Sequence, residues 1–258
     1  SVPDTYILTY NVSDSAGNTA IEVQRTVHVV DQQGPVITLN GDASVNHEAG
    51  TVYADAEATA TDNVDITVTV DTTGAVNADV PGTYTLTYSA TDSEGNEATP
   101  VTRTVVVADT TLPVITLVGD ANVNQEAGVD YLDAGANVTD SFDTNVTVVG
   151  SGEVDENTPG SYTLTYNATD AAGNAAVEVT RTVLVEDTTR PVITLSGELN
   201  QGGANFMDQE AGVAYVEPGA TATDSVDGPV TVTTLGTVDE TTPGTYTLTY
   251  TAIDAAGN

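Results

Sequence analysis

Apolar and polar residues alternate with a period of two along short segments of the chain, and glycine, aspartate or asparagine separates these segments. No helical periodicity of three to four residues accompanies them. Alternation of this kind predicts β-strands with one buried face. Within residues 32–109 the predicted strands lie near residues 36–40, 52–61, 66–70, 75–77 (weakly), 83–90 and 101–108. Short strands at this spacing predict a β-sandwich.

The same pattern recurs along the chain. The segment Pro-Val-Ile-Thr-Leu begins at Pro35, Pro113 and Pro191, which are equally spaced. A Pro-Gly pair ahead of a Tyr-rich strand keeps this spacing once and then recurs at a longer interval, because the third repeat carries an insertion between Gly197 and Glu210. A unit of this length is a complete small domain rather than a solenoid coil.

The most specific segment runs from Pro81 to Tyr88, with Tyr84 and Leu86 on one face of the predicted strand. It resembles the tyrosine corner of immunoglobulin-like folds, in which a tyrosine begins strand F, and Leu86 takes the place of the core cysteine. The resemblance implies that residues 92–96 form the tight F–G turn. All eleven tyrosines fall at recurring strand positions, which favours core roles over a sugar-binding platform.

The repeats predict four segments joined by short, proline-ended linkers, which favour stiff connections and a rod-like array of immunoglobulin-like domains. Because residues 1–18 align with residues 241–258, both ends are expected to fall inside a repeat. An alternative is that residues 19–31 of one copy complete the open sheet of another copy. The expected domains are residues 1–31 (the last part of a preceding domain), 32–109, 110–187 and 188–258 (without a last strand).

The composition narrows the possible partners. Thirty-eight acidic residues stand against four basic ones, the net charge is −34, and the basic residues are Arg25, Arg103, Arg181 and Arg190. Such a surface repels phosphate, so we expect no nucleic-acid partner. The lack of a long apolar run predicts no direct membrane insertion. The chain has no cysteine, which excludes disulfides, and a cation is the natural small partner.

Several acidic positions recur in every repeat. In an immunoglobulin-like sandwich the B–C and F–G loops lie where the chain enters and the A–B loop lies where it leaves, so these residues are expected to converge at the junctions. Crowded carboxylates would raise one another's pKa values, and calcium, which takes about six to eight oxygen ligands, would relieve the repulsion. The alternative is that aspartate and glycine simply suit turns. The candidate ligands are Asp31, Glu48, Asp62, Asp65, Asp92, Asp109, Glu126, Asp140, Asp143, Asp170, Asn174, Asp187, Asp224, Asp227 and Asp254.

Three motifs together resemble the immunoglobulin-like repeats of large bacterial surface adhesins and the related hyalin-type repeats: Pro-Gly-Thr-Tyr-Thr-Leu-Thr-Tyr, Thr-Asp-Ala-Ala-Gly-Asn, and Asp-Thr-Thr-x-Pro-Val-Ile-Thr-Leu. The acidic pattern also resembles cadherin junctions, although the linkers lack the cadherin Asp-x-Asn-Asp-Asn string, so fewer ions per junction are expected. The resemblance implies extracellular spacer repeats at a cell surface, which contact the neighbouring repeats of the same chain.

Two other functions are compatible with the sequence: a subunit of a self-assembling filament or sheath, and a carbohydrate-binding module of a secreted hydrolase. The exposed apolar pair Phe206 and Met207 in the insertion is a candidate contact for a partner, or it packs onto its own domain. An enzyme is not expected. His28 and His47 do not recur in equivalent positions, and no Ser/His/Asp grouping is indicated.

Overall fold

The computed structural model describes residues 4–197 and 206–258. Every regular element in this part of the chain is a β-strand, and it contains no helix long and apolar enough to cross a membrane. The chain divides into two compact units, residues 1–111 with 141–144, and residues 112–140 with 145–258. Each unit is described by itself.

The first unit begins with a hairpin and continues with a six-stranded repeat. In the hairpin, β1 (Asp4–Tyr10) pairs antiparallel with β2 (Val23–Val29). The six strands that follow are β3 (Val36–Leu39), β4 (Ser44–Glu48), β5 (Ala58–Thr61), β6 (Val70–Thr73), β7 (Gly82–Ala90) and β8 (Val101–Ala108).

These six strands form two sheets that enclose an aliphatic and tyrosine core. β3 pairs with β5, and the larger sheet has the order β4-β8-β7-β6, in which β4 runs parallel to β8. Alternation along β7 turns Leu86 and Tyr88 inward, where they pack with Ile37. The all-β, immunoglobulin-like prediction is confirmed.

Several strand predictions need correction. No strand was predicted over residues 44–48, yet they form β4, because pairing with β8 satisfies their backbone groups. The strand predicted over 52–61 begins only at Ala58, directly after Glu57, whose φ of 63° interrupts an extended chain. The strand predicted over 66–70 is displaced to Val70–Thr73, and Ile66 is fully exposed. The weak strand predicted over 75–77 does not form.

The second unit contains two further repeats. The sheets of the first repeat pair β11 with β9 and follow the order β10-β14-β13-β12, as in residues 32–109. The other repeat forms one sheet of order β15-β16-β17 and a pair β18-β19. The strands are β9 (Val114–Leu117), β10 (Asn122–Glu126), β11 (Ala136–Thr139), β12 (Val148–Ser151), β13 (Gly160–Ala168), β14 (Val179–Glu186), β15 (Val192–Leu195), β16 (Ala220–Asp224), β17 (Gly228–Val230), β18 (Val232–Leu235) and β19 (Thr249–Ala252).

The predicted tyrosine corner is present in all three repeats. The Tyr84 hydroxyl donates to the carbonyl oxygen of Val80 at 2.8 Å. Tyr162 and Tyr246 make the same bond to the residue four positions earlier, at 2.8 and 2.9 Å. Each bond ties the start of the F-type segment to the preceding loop, as the resemblance implied.

A buried arginine holds the centre of each complete sandwich. Arg103 is 1% exposed; its guanidinium contacts the Asp55 carboxylate and donates to the Tyr88 hydroxyl at 2.9 Å. It also donates to the carbonyl oxygens of Asn40 and Asp42. Five N–H donors in a planar fork suit several acceptors at once.

The same group recurs in the next repeat, where Arg181 contacts Asp133 and Tyr166. Burial alone would raise the pKa of Asp55 and Asp133, but hydrogen bonds from the tyrosine and the arginine bring both values below the ordinary one. Burial and the neighbouring carboxylate raise the pKa of Tyr88 and Tyr166 to about 12. The ion pair is therefore charged at neutral pH.

Candidate metal centre

Three aspartates from separate parts of the first unit come together at one end of its sandwich. Asp31 lies in the linker, Asp62 directly follows β5, and Asp92 opens the F–G turn after β7. One carboxylate oxygen of each lies within 4.8 Å of the others. Asp31 and Asp92 are each only 8% exposed. The fold thus assembles three of the predicted ligands.

Each of these aspartates holds its own turn, Asp31 and Asp62 through one oxygen and Asp92 through both. Asp62 Oδ1 accepts from the amides of Val64 and Asp65 at 2.7 and 3.0 Å. Asp31 Oδ1 accepts from the amide of Gln33 at 3.1 Å. The second oxygens of Asp31 and Asp62 are buried and have no hydrogen-bond partner. A buried, unpartnered carboxylate oxygen is costly, and a cation would supply the interaction.

A second group with the same design lies in the second unit. It consists of the linker residue Asp187 with Asp227 and Asp254, whose oxygens again lie within 4.8 Å of one another. Asp254 is 7% exposed, accepts from the amide of Asn258 at 2.7 Å through Oδ1, and has a buried, unpartnered Oδ2. Asp224 leaves its Oδ2 in the same state. The Asp-x-x-Asp motif contributes its second residue, Asp227, to this group, whereas it contributes its first residue, Asp62, to the other group.

Three members of these groups have carboxyl pKa values below the ordinary one, and local hydrogen bonds are the cause. Amide donors from Asp65 and Val64 lower the pKa of Asp62. Burial alone would raise the pKa of Asp92 and Asp254, but hydrogen bonds within the F–G turn, from Asn96 and Asn258, lower both overall. These carboxylates are therefore held in the ionised form that binds metals.

The two predicted glutamates have a different local partner. Glu48, at the end of β4, accepts from the amide of Thr110 at 3.0 Å and from its hydroxyl. Glu126, at the end of β10, accepts from the Thr188 amide and hydroxyl at 2.9 and 2.6 Å and from the Thr189 amide at 3.1 Å. These bonds lower the pKa of both glutamates. Each glutamate fastens the linker that follows its repeat and belongs to neither aspartate group.

The remaining predicted ligands occupy turns. Asp65 accepts from the amide and hydroxyl of Ser93 at 2.7 and 3.0 Å. Asp109 accepts from the Thr111 hydroxyl at 2.9 Å. Asp170 accepts from the amide and side chain of Asn174 at 2.7 and 2.8 Å, so Asn174 acts here as a donor. Two more predicted ligands, Asp140 and Asp143, lie in the turn after β11.

An apolar contact accompanies the linker bonds within each unit. Val226 packs against the buried residues Ala127, Val183 and Val185. In the first unit Phe142 packs in the same way against Ala49, Val105 and Val107. The linker bond of the glutamate and the apolar contact both restrict motion of the linker.

The core arginines were not singled out in the sequence analysis. The signal was present, because Arg25, Arg103 and Arg181 are equally spaced and each lies in a strand of alternating valines. Acidic residues recur at positions 55, 133 and 217 as well. A repeated opposite-charge pair at inward positions indicates a buried ion pair.

Comparison with known families decides the relationship. Residues 37–107, 115–185 and 199–258 match the family described as "Bacterial surface protein, Ig-like domain". The chain belongs to this family. The matched ranges fall within the three expected repeats of residues 32–258. The family is one of surface-protein domains.

The relatives of this family member include much longer proteins. The chain is 28% identical to Internalin I of Listeria monocytogenes over 264 residues, which cover 98% of the chain and 15% of that protein. It is 32% identical to Hyalin of Lytechinus variegatus over 268 residues, covering 98% of the chain and 50% of that protein. The chain spans half or less of these relatives. A solved structure of Drosophila N-cadherin EC1-4 aligns at 12% identity and a TM-score of 0.29, covering 92% of the chain and 73% of that structure, a value that supports no structural inference.

Proposed function

We propose that these repeats are an extracellular spacer of a bacterial surface adhesin and that calcium binds where a linker aspartate meets the loops of the repeat that follows. Family membership supports the surface role. The observation that carries the calcium proposal is the set of buried, unpartnered oxygens on Asp31, Asp62 and Asp254, which belong to the two aspartate groups.

The donor chemistry fits calcium. Both groups offer only carboxylate oxygens, the hard ligands that calcium and magnesium prefer over transition metals. At Ca–O distances of about 2.3–2.6 Å, two oxygens on one ion lie no more than about 5 Å apart, and the spacing within 4.8 Å satisfies this limit. Three loops of unrelated geometry suit the irregular coordination of calcium better than the octahedron of magnesium.

Calcium at either group would link the incoming chain to the body of the repeat. Asp31 and Asp187 belong to linkers, whereas their partners belong to the B–C and F–G loops. An ion shared between them would restrict the linker from one side, while the glutamate bond to Thr188 restricts it from the other side. The ion would therefore stiffen the connection between repeats.

The expected affinity suits an extracellular role. Calcium modules outside the cell bind with dissociation constants of about 10⁻⁴ to 10⁻³ M, and three carboxylates that are already partly committed to turns fit this range. Such sites fill in a calcium-rich medium and stay empty in the cytosol. The repeats would therefore stiffen only after export.

Calorimetric titration of the intact chain with calcium chloride, and in parallel with magnesium chloride, tests the site. The double variant Asp31→Asn with Asp187→Asn should lose most of the calcium heat, because it removes one charged ligand from each group. The matched control is Asp71→Asn, an exposed carboxylate on β6 outside both groups. Equal titrations of the double variant and the control would show that the ion does not bind at these linkers.

Small-angle scattering then tests the consequence of binding. The ensemble of conformations fitted to the scattering curve should span a narrower range of maximum dimensions with calcium, and a chelator should widen that range again. The double variant should behave like the chelated chain at every calcium concentration. If chelation does not change this range at calcium concentrations where the titration shows binding, calcium binds at the site but does not stiffen the linkers.

A further inference from the structure

An apolar contact joins the two repeats of the second unit. In the earlier repeat, Ala127, Val183 and Val185 are almost fully buried and form an apolar socket. Val226, in the turn between β16 and β17 of the later repeat, packs against these three residues. Val226 is half-buried and directly precedes Asp227, a member of the second aspartate group. One short turn therefore carries both the contact between repeats and a candidate calcium ligand.

The first unit contains the same type of contact. Phe142 occupies the position of the Asp-x-x-Asp motif that Val226 occupies in the later repeat. It packs against Ala49, Val105 and Val107, again one alanine and two valines. Because the contact recurs with a different apolar side chain, it is a general property of these turns, and a socket of this composition accepts phenylalanine as well as valine.

Hydrogen bonds fasten the linker ligand to the earlier repeat as well. Glu126 accepts from the amides of Thr188 and Thr189 at 2.9 and 3.1 Å. The Thr189 hydroxyl donates to Asp187 Oδ1 at 3.1 Å and shares a hydrogen bond of 3.0 Å with the hydroxyl of Ser225. Ser225 belongs to the turn that carries the apolar contact. The linker and this turn are thus held against the same repeat.

Two of the three members of the second aspartate group therefore depend on the earlier repeat for their position. Asp187 lies in the linker and Asp227 in the turn, whereas Asp254 opens the F–G turn of its own repeat. Contacts that already hold the ligand-bearing segments reduce the ordering that ion binding must impose, and they improve affinity for that reason. Linkage is reciprocal, so an ion that binds better to the docked arrangement stabilises docking by the same factor.

We propose that the docking of Val226 in its socket and the binding of calcium at Asp187, Asp227 and Asp254 are thermodynamically coupled. Val226 is then a positioning residue of the metal site, although it donates no ligand. This inference rests on the proposed calcium site. A single half-buried valine is a small contact, so docking and ion binding each depend on the other, and a repeat released from its neighbour would bind calcium more weakly.

Calorimetric titration of the intact chain with calcium chloride tests the coupling. The parent and all variants carry Asp31→Asn, which removes a ligand from the aspartate group of the first unit, so that the remaining heat reports the second group. Val226→Ser should weaken calcium binding at least about fivefold, the lower end of typical coupling between sites. Val226→Phe should bind calcium as the parent does, because Phe142 fills a socket of the same composition. Val192→Ser, the same change at an exposed position of β15, should have no effect.

A second pair of variants tests the contribution of the earlier repeat. Glu126→Gln should also weaken calcium binding, because it loosens the linker amides of Thr188 and Thr189 without removing a member of the aspartate group. Glu210→Gln is the matched control, since Glu210 is the equivalent residue of the later repeat and its replacement changes the charge equally. Far-UV circular dichroism confirms that each variant is folded.

Docking itself is measured by the distance between two spin labels. The chain has no cysteine, so Thr180→Cys and Thr221→Cys, at exposed positions of the two repeats, place the labels uniquely. Calcium should narrow the distance distribution of the labelled parent. The distribution of the labelled Val226→Ser variant should stay broader at saturating calcium.

The outcomes separate the coupling from the calcium site. If the parent shows no calcium heat, the proposed metal site itself is refuted. If the parent binds calcium, the coupling is overturned by unchanged binding in Val226→Ser or Glu126→Gln, by an equal loss in Val192→Ser, or by a loss in Val226→Phe as large as that in Val226→Ser. Equal narrowing of the distance distribution in both labelled chains would overturn it as well.

Discussion

The buried arginine allows a sharp prediction for the substitution Arg103→Met. Methionine keeps most of the length and apolar volume of the side chain but removes the whole guanidinium. The Asp55 carboxylate would keep its bond from Tyr88 but lose its charged partner. The carbonyl oxygens of Asn40 and Asp42 would lose their donors inside the sandwich. The perturbation therefore removes one partner of a buried network and leaves the others in place.

The magnitude follows from the burial of the two partners. Removing one member of a fully buried ion pair costs about 3–5 kcal/mol. The Asp55 side chain is 21% exposed, whereas that of Arg103 is 1% exposed. Water can reach part of the abandoned carboxylate, so the lower end, about 3 kcal/mol, is expected. For a domain of about 60–100 residues, each kcal/mol lowers Tm by about 4–8 °C, which corresponds here to a fall of about 12–24 °C.

Hydrogen exchange of the intact chain under increasing denaturant, read by mass spectrometry, is the appropriate assay because it reports each repeat separately. The amides of β7 and β8 should lose protection, while those of β13 and β14 serve as an internal reference. Arg25→Met is the matched control, since Arg25 lies at the equivalent position of an exposed strand. A loss below about 1 kcal/mol for Arg103→Met, or equal losses for both variants, would refute the view that the ion pair holds this sandwich together.

Three further predictions follow from the described contacts. Glu126→Gln should speed hydrogen exchange at the linker amides of residues 188 and 189, which bond to this carboxylate, whereas Glu210→Gln should not. Gly50→Ala should destabilise the chain more than Gly128→Ala. Both glycines have similar positive φ values, but a new methyl at position 50 would meet the Phe142 ring at 3.1 Å. Differential scanning calorimetry measures the difference. A tyrosine whose pKa is raised stabilises the fold below its ordinary pKa of 10.0 and loses that contribution as pH rises through its folded pKa. Absorbance at alkaline pH should therefore show a class of phenols that ionises late, together with unfolding. The late class, with pKa values of about 12, comprises Tyr88, Tyr166, Tyr215 and Tyr250.

Strand alternation and repetition were sufficient to predict the sandwich class and the tyrosine corner. Tyr84 was identified as the corner residue because it follows Pro-Gly and shares a face with Leu86. The strand β4 was missed because Val45 is its single apolar residue, so no alternation is visible. Its pairing depends on β8, which lies far along the chain, and a local pattern carries no information on such a partner.

The residue types of the candidate metal centre could be predicted from the sequence, but their detailed grouping could not. Recurrence identified the linker and loop aspartates, and the fold brings Asp31, Asp62 and Asp92 together. The sequence could not show that Glu48 would bind the Thr110 amide instead of joining that group, because this depends on the register of β4 against β8. Likewise, the sequence does not show which carboxylate oxygen holds a turn and which one lacks a hydrogen-bond partner.

The arginine at the centre of each complete sandwich also bears on how such a chain folds. Strands β8 and β14 share the sequence Val-Thr-Arg-Thr-Val, and a slip by one residue would point the guanidinium away from its carboxylate, so the alignment of each strand is unambiguous. The same identity means that either strand suits either sandwich. Order of synthesis would then favour pairing within one repeat, and refolding of the denatured chain should give more mispaired species than folding during synthesis.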